Sequence, residues 1–276
     1  MSRLAECFAE LKNQPGNRTR TALIPYVMTA DPVPEITLPL MHAMVEAGAD
    51  IIELGAPFSD PMADGPVIQA ASERSLMHNT SLHDVFSLVS EFRKTDDKTP
   101  IVMMGYLNPI EVMGYESFAQ QASACGIDGV ITVDMPPVEA DEYVPALRSH
   151  GLDPVFLLAP TSTEQRVKKL ADVASGFVYY VSLKGVTGAA TLDVASVEEK
   201  VAQIRQHIDL PIGVGFGISD AESAAKVASC SDAVVVGSAI VKKMTLNSGK
   251  TDQERSIIIK EISDILSAMR AAMDNV

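Results

Sequence analysis

The sequence predicts a closed (β/α)8 barrel with additional helices, and three observations carry the prediction. Eight short apolar runs recur along the chain, mostly rich in β-branched residues and bounded by Pro, Gly, Asp or Asn, as buried parallel strands are. Stretches with helical periodicity separate them, so strand and helix alternate as in βαβ units. The chain has 276 residues, and a single barrel takes about 250. Eight units in that length favour closure over an open doubly wound sheet.

The expected strands are 22–28, 50–54, 101–106, 129–133, 155–158, 177–181, 212–216 and 233–236. Ahead of the first, Leu4, Cys7, Phe8 and Leu11 mark an extra helix. Leu38, Met41, Met44 and Val45 repeat at helical spacing, as do Val85, Leu88, Val89 and Phe92. The last stripe is the clearest: Ile258, Ile262, Ile265, Leu266, Met269 and Met273 line one helix face. No linker, charge block or short-period repeat divides the chain, so residues 1–276 read as one TIM-barrel domain.

Composition narrows the function classes. A hydrophobic fraction of 47% with 21% charged residues suits a globular chain with a sizeable core. The stretch 99–110 carries no charge but contains Pro100, Gly105 and Pro109. It is too short for a membrane span, which needs roughly 20 apolar residues. A net charge of -14 opposes nucleic acid and anionic membrane surfaces. A phosphate group would need locally aimed donors, such as glycine-rich turns. Three scattered cysteines and Glu6 near the start point to a cytoplasmic protein without a secretory leader. The five histidines form no metal-ligating pair and there is no G-x-S-x-G, so neither a metal centre nor a serine triad is expected.

In a barrel, the active site lies at the C-terminal ends of the strands. The richest such segment is Ile51-Ile-Glu-Leu-Gly-Ala-Pro-Phe-Ser-Asp-Pro-Met-Ala-Asp-Gly-Pro66. Glu53 interrupts an apolar strand, where a carboxylate is either an ion pair beneath a loop or a proton-transfer group with a raised pKa. Asp64 follows in a loop stiffened by Pro57, Pro61 and Pro66, although Asp-Gly is also ordinary turn chemistry. Asp60 admits the same bland reading. Three late turns look suited to an anion: Gly185-Val-Thr-Gly188, Gly213-Val-Gly-Phe-Gly-Ile-Ser219 and Val236-Gly-Ser-Ala239. Glycine lets the backbone N–H groups approach phosphate oxygens. The second turn is not a dinucleotide fingerprint, because position 218 is Ile and the turn comes late in the chain.

Taken together, these segments resemble the tryptophan synthase α-subunit family from Leu4 to about Met273. The most specific motif is Glu53-Leu-Gly-Ala-Pro-Phe-Ser-Asp-Pro-Met-Ala-Asp-Gly-Pro66. Ser182-Leu-Lys-Gly-Val-Thr-Gly188, Gly215-Phe-Gly-Ile-Ser219 and Gly237-Ser-Ala-Ile-Val241 follow in the family's order. The resemblance implies that Glu53 and Asp64 are the catalytic carboxylates. It places Tyr179 beside the substrate and has Thr187 contact the catalytic aspartate. Gly188, Gly217, Gly237 and Ser238 would bind phosphate, while Phe216, Ile68, Tyr106, Ile131 and Tyr26 would line an indole pocket. Asp60 falls on a residue that communicates with a β subunit. Tyr26 stands where some members carry Phe, and Leu183 and Lys184 replace a more polar pair.

The implied reaction is retro-aldol cleavage of indole-3-glycerol phosphate to indole and glyceraldehyde 3-phosphate. Indole would pass to a β subunit within an αββα heterotetramer for L-tryptophan synthesis. That subunit would carry the pyridoxal phosphate, so no cofactor is expected in this chain. The competing enzyme reading is another phosphate-binding barrel, resembling indole-glycerol phosphate synthase or thiamine phosphate synthase. The first should show a lysine in an early strand, but the first and third runs contain none. A barrel with decayed catalysis would have lost its carboxylates, yet both are present.

Overall fold

The computed structural model describes residues 2–14, 19–182, 194–215 and 217–276. Eight strands close into one barrel in sequence order, every neighbouring pair parallel. They are β1 (Ala22–Met28), β2 (Ile52–Gly55), β3 (Ile101–Gly105), β4 (Gly129–Thr132), β5 (Asp153–Leu158), β6 (Val178–Val181), β7 (Ile212–Gly215) and β8 (Ala233–Val236). All eight expected strands are present, and the predicted barrel is the observed one.

The differences lie at strand ends. Asp50 does not begin β2; its carboxylate accepts the Leu23 N–H at 2.8 Å at the foot of β1. Conversely, β5 starts two residues before the apolar run, because Asp153 and Pro154 pair with Gly129 and Val130. Proline reads as a strand breaker since it lacks an N–H, but its carbonyl still accepts from Ser175 at 3.0 Å.

Side-chain alternation sorts the strands into two packed layers. Leu23, Val27, Ile52, Leu54 and Met103 pack outward in the large cluster shared with the helices. Ala22, Ile24, Ile51, Val102, Ile131, Val155 and Phe177 fill the barrel interior. Helix α1 (Arg3–Lys12) adds Leu4, Phe8 and Leu11 to that interior cluster and so plugs the floor. Helix α2 (Pro34–Glu46) buries Ile36, Leu40, Met41 and Met44, whereas Leu38 and Val45 are only partly covered. Its apolar stripe is wider than the periodicity implied, because α2 faces both β1 and the C-terminal helix Asp252–Met273. In that last helix, Ile258, Ile262, Leu266, Met269 and Met273 are buried, and Ile265 is only partly covered.

The barrel floor is tied by aspartates that cap strand starts. Asp50, Asp128 and Asp232 accept the N–H groups of Leu23, Ile101 and Ile212, each at 2.8 Å. Arginines neutralise them: Arg20 and Arg270 on Asp50, Arg3 and Arg93 on Asp128, and Arg205 on Asp232. Polar structure at this end serves stability rather than chemistry. Asp128→Ala strands the mostly buried Arg93 without its carboxylate and leaves the Ile101 N–H unpaired. It should cost about 3 kcal/mol in urea unfolding, with kcat for the folded fraction unchanged. A large fall in kcat at full folding would show that the floor reaches the site.

Candidate active site

Strand β2 carries Glu53 on the inner face, in register with Tyr26 of β1 and Val102 of β3. The residue is 2% exposed, and its Oε2 has no hydrogen-bond partner among the described residues. Among the described residues, no cation pairs with it, and none of the ion pairs there involves Glu53. Burial, reinforced by the nearby charge of Asp64, pushes its pKa up to about 8. At neutral pH, Glu53 therefore carries a proton that it can give up and recover.

Asp64 sits in the loop after β2, and that loop is clamped by helix α3 (Pro66–Leu76). Pro66 opens α3 at a position where its missing N–H costs nothing. The Ser72 hydroxyl accepts from Phe58 N–H and donates to Phe58 C=O, both at 2.8 Å. Gln69 Nε2 donates to the Asp64 carbonyl at 2.8 Å and to the Pro61 carbonyl at 3.3 Å. Arg74 in turn fixes α3 to the loop after β1 by a two-point bond to buried Asp31, at 2.6 and 2.9 Å. Burial raises the Asp64 pKa to about 6, opposed by the nearby Tyr106 hydroxyl. The two carboxyl groups thus fall on opposite sides of neutrality, one mostly protonated and one mostly ionised.

Both carboxylates line a single cavity of about 540 Å³ at the C-terminal end of the barrel. Tyr26 and Tyr179 share its wall with them, and Met104, Leu157 and Val235 supply apolar surface. The two tyrosines lie over glycines: a Cβ at Gly55 would collide with the Tyr26 hydroxyl, and one at Gly215 with that of Tyr179. Glycine inside a strand commonly marks such a close approach. Gly217, Gly237 and Ser238 also line the cavity. Gly217 adopts φ +77°, and Ser238 begins the helix Ser238–Met244.

Ile68 lines the cavity as well. Ile131 lies instead in the packed interior with Val102 and Val155, and Tyr106 meets the site through the Asp64 loop rather than through the cavity wall. Asp60 is exposed at the rim, bonded to the Ser59 hydroxyl at 2.5 Å, beside Met62 at 80% exposure. Thr187, Gly188 and Phe216 lie outside the described residues, as do Leu183 and Lys184. The wall after β5 was not anticipated: Thr161, Ser162, Thr163 and Arg166 face the cavity. Polar residues at a strand's C-terminal end were the available signal, but Pro160-Thr-Ser-Thr163 reads equally well as a helix cap.

The sequence profile of the tryptophan synthase alpha chain family matches residues 8–271. The chain belongs to that family. A tryptophan synthase alpha chain from Thioalkalivibrio sulfidiphilus is 60% identical over 99% of this chain and 100% of its own. Another, from Methylococcus capsulatus, is 57% identical over the same shares. A crystal structure of tryptophan synthase subunit alpha from Legionella pneumophila superposes with a TM-score of 0.89, at 43% identity over the whole of both chains. In a structure of Mycobacterium tuberculosis tryptophan synthase, the matching chain gives 0.86 at 34% identity, covering 99% of this chain and 98% of that one. The reaction is accordingly the family's: a lyase of tryptophan biosynthesis cleaving indole-3-glycerol phosphate to indole and glyceraldehyde 3-phosphate. Among the described residues, no helix is long and apolar enough to cross a membrane.

Proposed function

We propose that Glu53 and Asp64 are the catalytic pair of this cleavage. The observation that carries the assignment is their placement on one cavity with pKa values pushed to about 8 and about 6. Environments that drive two carboxyl groups apart in this way define an acid and an anion. Protonated Glu53 delivers its proton to C3 of the indole ring, and positive charge develops on the ring nitrogen. Ionised Asp64 accepts the ring N–H and stabilises that charge. The Glu53 carboxylate then takes the proton of the side-chain hydroxyl. The bond from C3 to the side chain breaks, its electron pair returns to the ring, and the hydroxyl carbon becomes the aldehyde of glyceraldehyde 3-phosphate. Glu53 ends protonated, ready for the next turnover.

The phosphate is held by main-chain N–H groups of Gly217, Gly237 and Ser238, which line the cavity; the resemblance adds Gly188 to the phosphate donors, Thr187 to the partners of Asp64 and Phe216 to the indole pocket. Glycine-rich backbone is the fitting donor in a chain whose net charge is -14. This chain uses no cofactor of its own. Pyridoxal phosphate belongs to a β subunit, with which the chain forms an αββα heterotetramer in the cytoplasm. The exposed Ser59, Asp60 and Met62, flanked by the half-buried Pro57 and Pro61, support that contact.

Release of indole from indole-3-glycerol phosphate tests the reading directly. The isolated chain should turn over slowly, and an added cognate β subunit should accelerate it by stabilising the closed loops. No indole under either condition would reject the activity. Full activity alone, indifferent to the β subunit, would reject the partnership.

A further inference from the structure

The cavity wall after β5 carries a cation that has no part in the proton transfers. Strand β5 ends at Leu158, and a tight turn follows it. There the Ser162 N–H donates to the Ala159 carbonyl at 2.9 Å, and the Ser162 hydroxyl accepts the Ala159 N–H at 3.0 Å. Lys200, from the helix Val194–Arg205, pins the same turn by donating to the Ser162 carbonyl at 2.9 Å. Thr163 then caps the helix Glu164–Val173, its hydroxyl accepting the Arg166 N–H at 3.3 Å. The Arg166 side chain so placed lines the cavity that Gly217, Gly237 and Ser238 also line.

Charge sets Arg166 apart. Among the described residues it is the only cation on this cavity, whose other ionisable groups are Glu53, Asp64, Tyr26 and Tyr179. Every other described arginine gives a guanidinium N–H to a carboxylate or a main-chain carbonyl. Arg166 has no such partner among the described residues. Glu164, at the head of its helix, pairs with Lys168 and His207 instead. In a chain of net charge -14, acidic partners are plentiful, so a guanidinium left without one on a binding cavity points to an anion brought by the ligand.

The substrate brings that anion. A phosphate ester carries nearly two negative charges at neutral pH, and it must enter a cavity lined by Asp64 in a protein whose field repels it. Main-chain N–H groups offer it only partial charges. We propose that Arg166 is a substrate-binding residue, its guanidinium drawing the phosphate into the cavity and holding it together with the glycine turns. The fork of an arginine suits phosphate oxygens. The proposal rests on the reading of Gly217, Gly237 and Ser238 as phosphate donors and adds a charged partner from the β5 wall.

Arg166→Gln keeps an exposed, polar helix former and removes the charge. An exposed ion pair is worth up to about fivefold, and the second phosphate charge adds to it. At low ionic strength, KM for indole-3-glycerol phosphate should therefore rise roughly five- to tenfold with kcat held, the pattern of binding lost equally from substrate and transition state. Competitive inhibition by glycerol 3-phosphate should weaken by the same factor. Wild-type KM should climb as sodium chloride screens the pair, and that of Arg166→Gln should climb less. Arg166→Lys should keep most of the affinity. In the reverse condensation with glyceraldehyde 3-phosphate, KM for indole, which carries no phosphate, should not move. A wild-type KM for Arg166→Gln at low salt overturns the proposal, as does an equal rise in KM for indole, the mark of a deformed wall. Gly217→Val, at φ +77°, separates the two claims. If that variant binds glycerol 3-phosphate like wild type, the phosphate site itself is misplaced; if it loses affinity while Arg166→Gln does not, only the role of Arg166 fails.

Discussion

Glu53→Gln should abolish most turnover while making the protein more tolerant of alkali. Gln keeps the shape of the side chain and cannot shuttle a proton, so kcat should fall by roughly 10²-fold or more. KM should change modestly, because the glycine turns and apolar wall supply most of the affinity. Loss in kcat at near-constant KM marks an interaction made chiefly in the transition state. Stability should move the other way. The pKa of Glu53 rises from 4.5 to about 8 on folding, so between those values the folded chain binds more protons than the unfolded one. Wild-type stability therefore declines as pH rises through that window. Gln cannot ionise and escapes the loss, so the Tm difference in favour of the variant should widen from pH 5 to pH 9, roughly the window those pKa values bracket. Calorimetric scans across that range, together with indole release, check both halves. A variant that unfolds, or one that turns over at the wild-type rate, would show that Glu53 is a structural residue.

Asp64→Asn should cost a similar factor for a different reason. Asn keeps an oxygen able to accept the ring N–H but removes the charge opposing the developing cation. Preorganised electrostatic groups of this kind are worth roughly 10²-fold or more. The pH profile distinguishes the two variants. Wild-type activity should fall on the acid side as Asp64 protonates near pH 6. In Asp64→Asn the residual rate should lack that limb, because the group that titrates there is gone. Steady-state assays from pH 5 to pH 9, bracketing that limb, provide the measurement. An acid limb unchanged in Asp64→Asn would assign it to another group and remove Asp64 from the electrostatic role.

Legibility in the sequence followed how anomalous each residue looked in its setting. Glu53 was conspicuous because a carboxylate in an apolar strand needs a reason; alternation paired it with Ile51, and the closed barrel makes that shared face the inner one. Asp64 was weaker, since Asp-Gly is common in turns and the resemblance, rather than the pattern, singled it out. The glycine turns of Gly217 and Gly237 stood out by their position after late strands. Tyr26, Tyr106 and Tyr179 lie in apolar runs, and the resemblance, not the pattern, placed them at the substrate. The first and last proved to lie over Gly55 and Gly215, and the second to stand on the Asp64 loop. Ile131, placed in the pocket by the resemblance, packs in the interior cluster together with the cavity-lining Tyr179 and Val235.

By itself, the sequence determined the alternation of strand and helix, the closure into eight strands and the short roster of chemically unusual residues. These are local properties: periodicity, turn chemistry, and charge where apolar residues are expected, each read within a few neighbours. Only the tertiary structure decided which residues act on one another. Glu53 and Tyr106 are far apart in the chain, yet each bears on Asp64 once the sheet closes. Their pKa values are set by burial and by neighbours from other strands, and neither exists in an extended chain. The floor aspartates show the same division. Asp50 was expected to begin a strand, and Asp128 and Asp232 carried no reading at all; the closed barrel makes all three strand caps and sets the arginines of distant elements beside them. Backbone period is encoded locally, but desolvation and charge pairing depend on distances that the closed barrel alone creates.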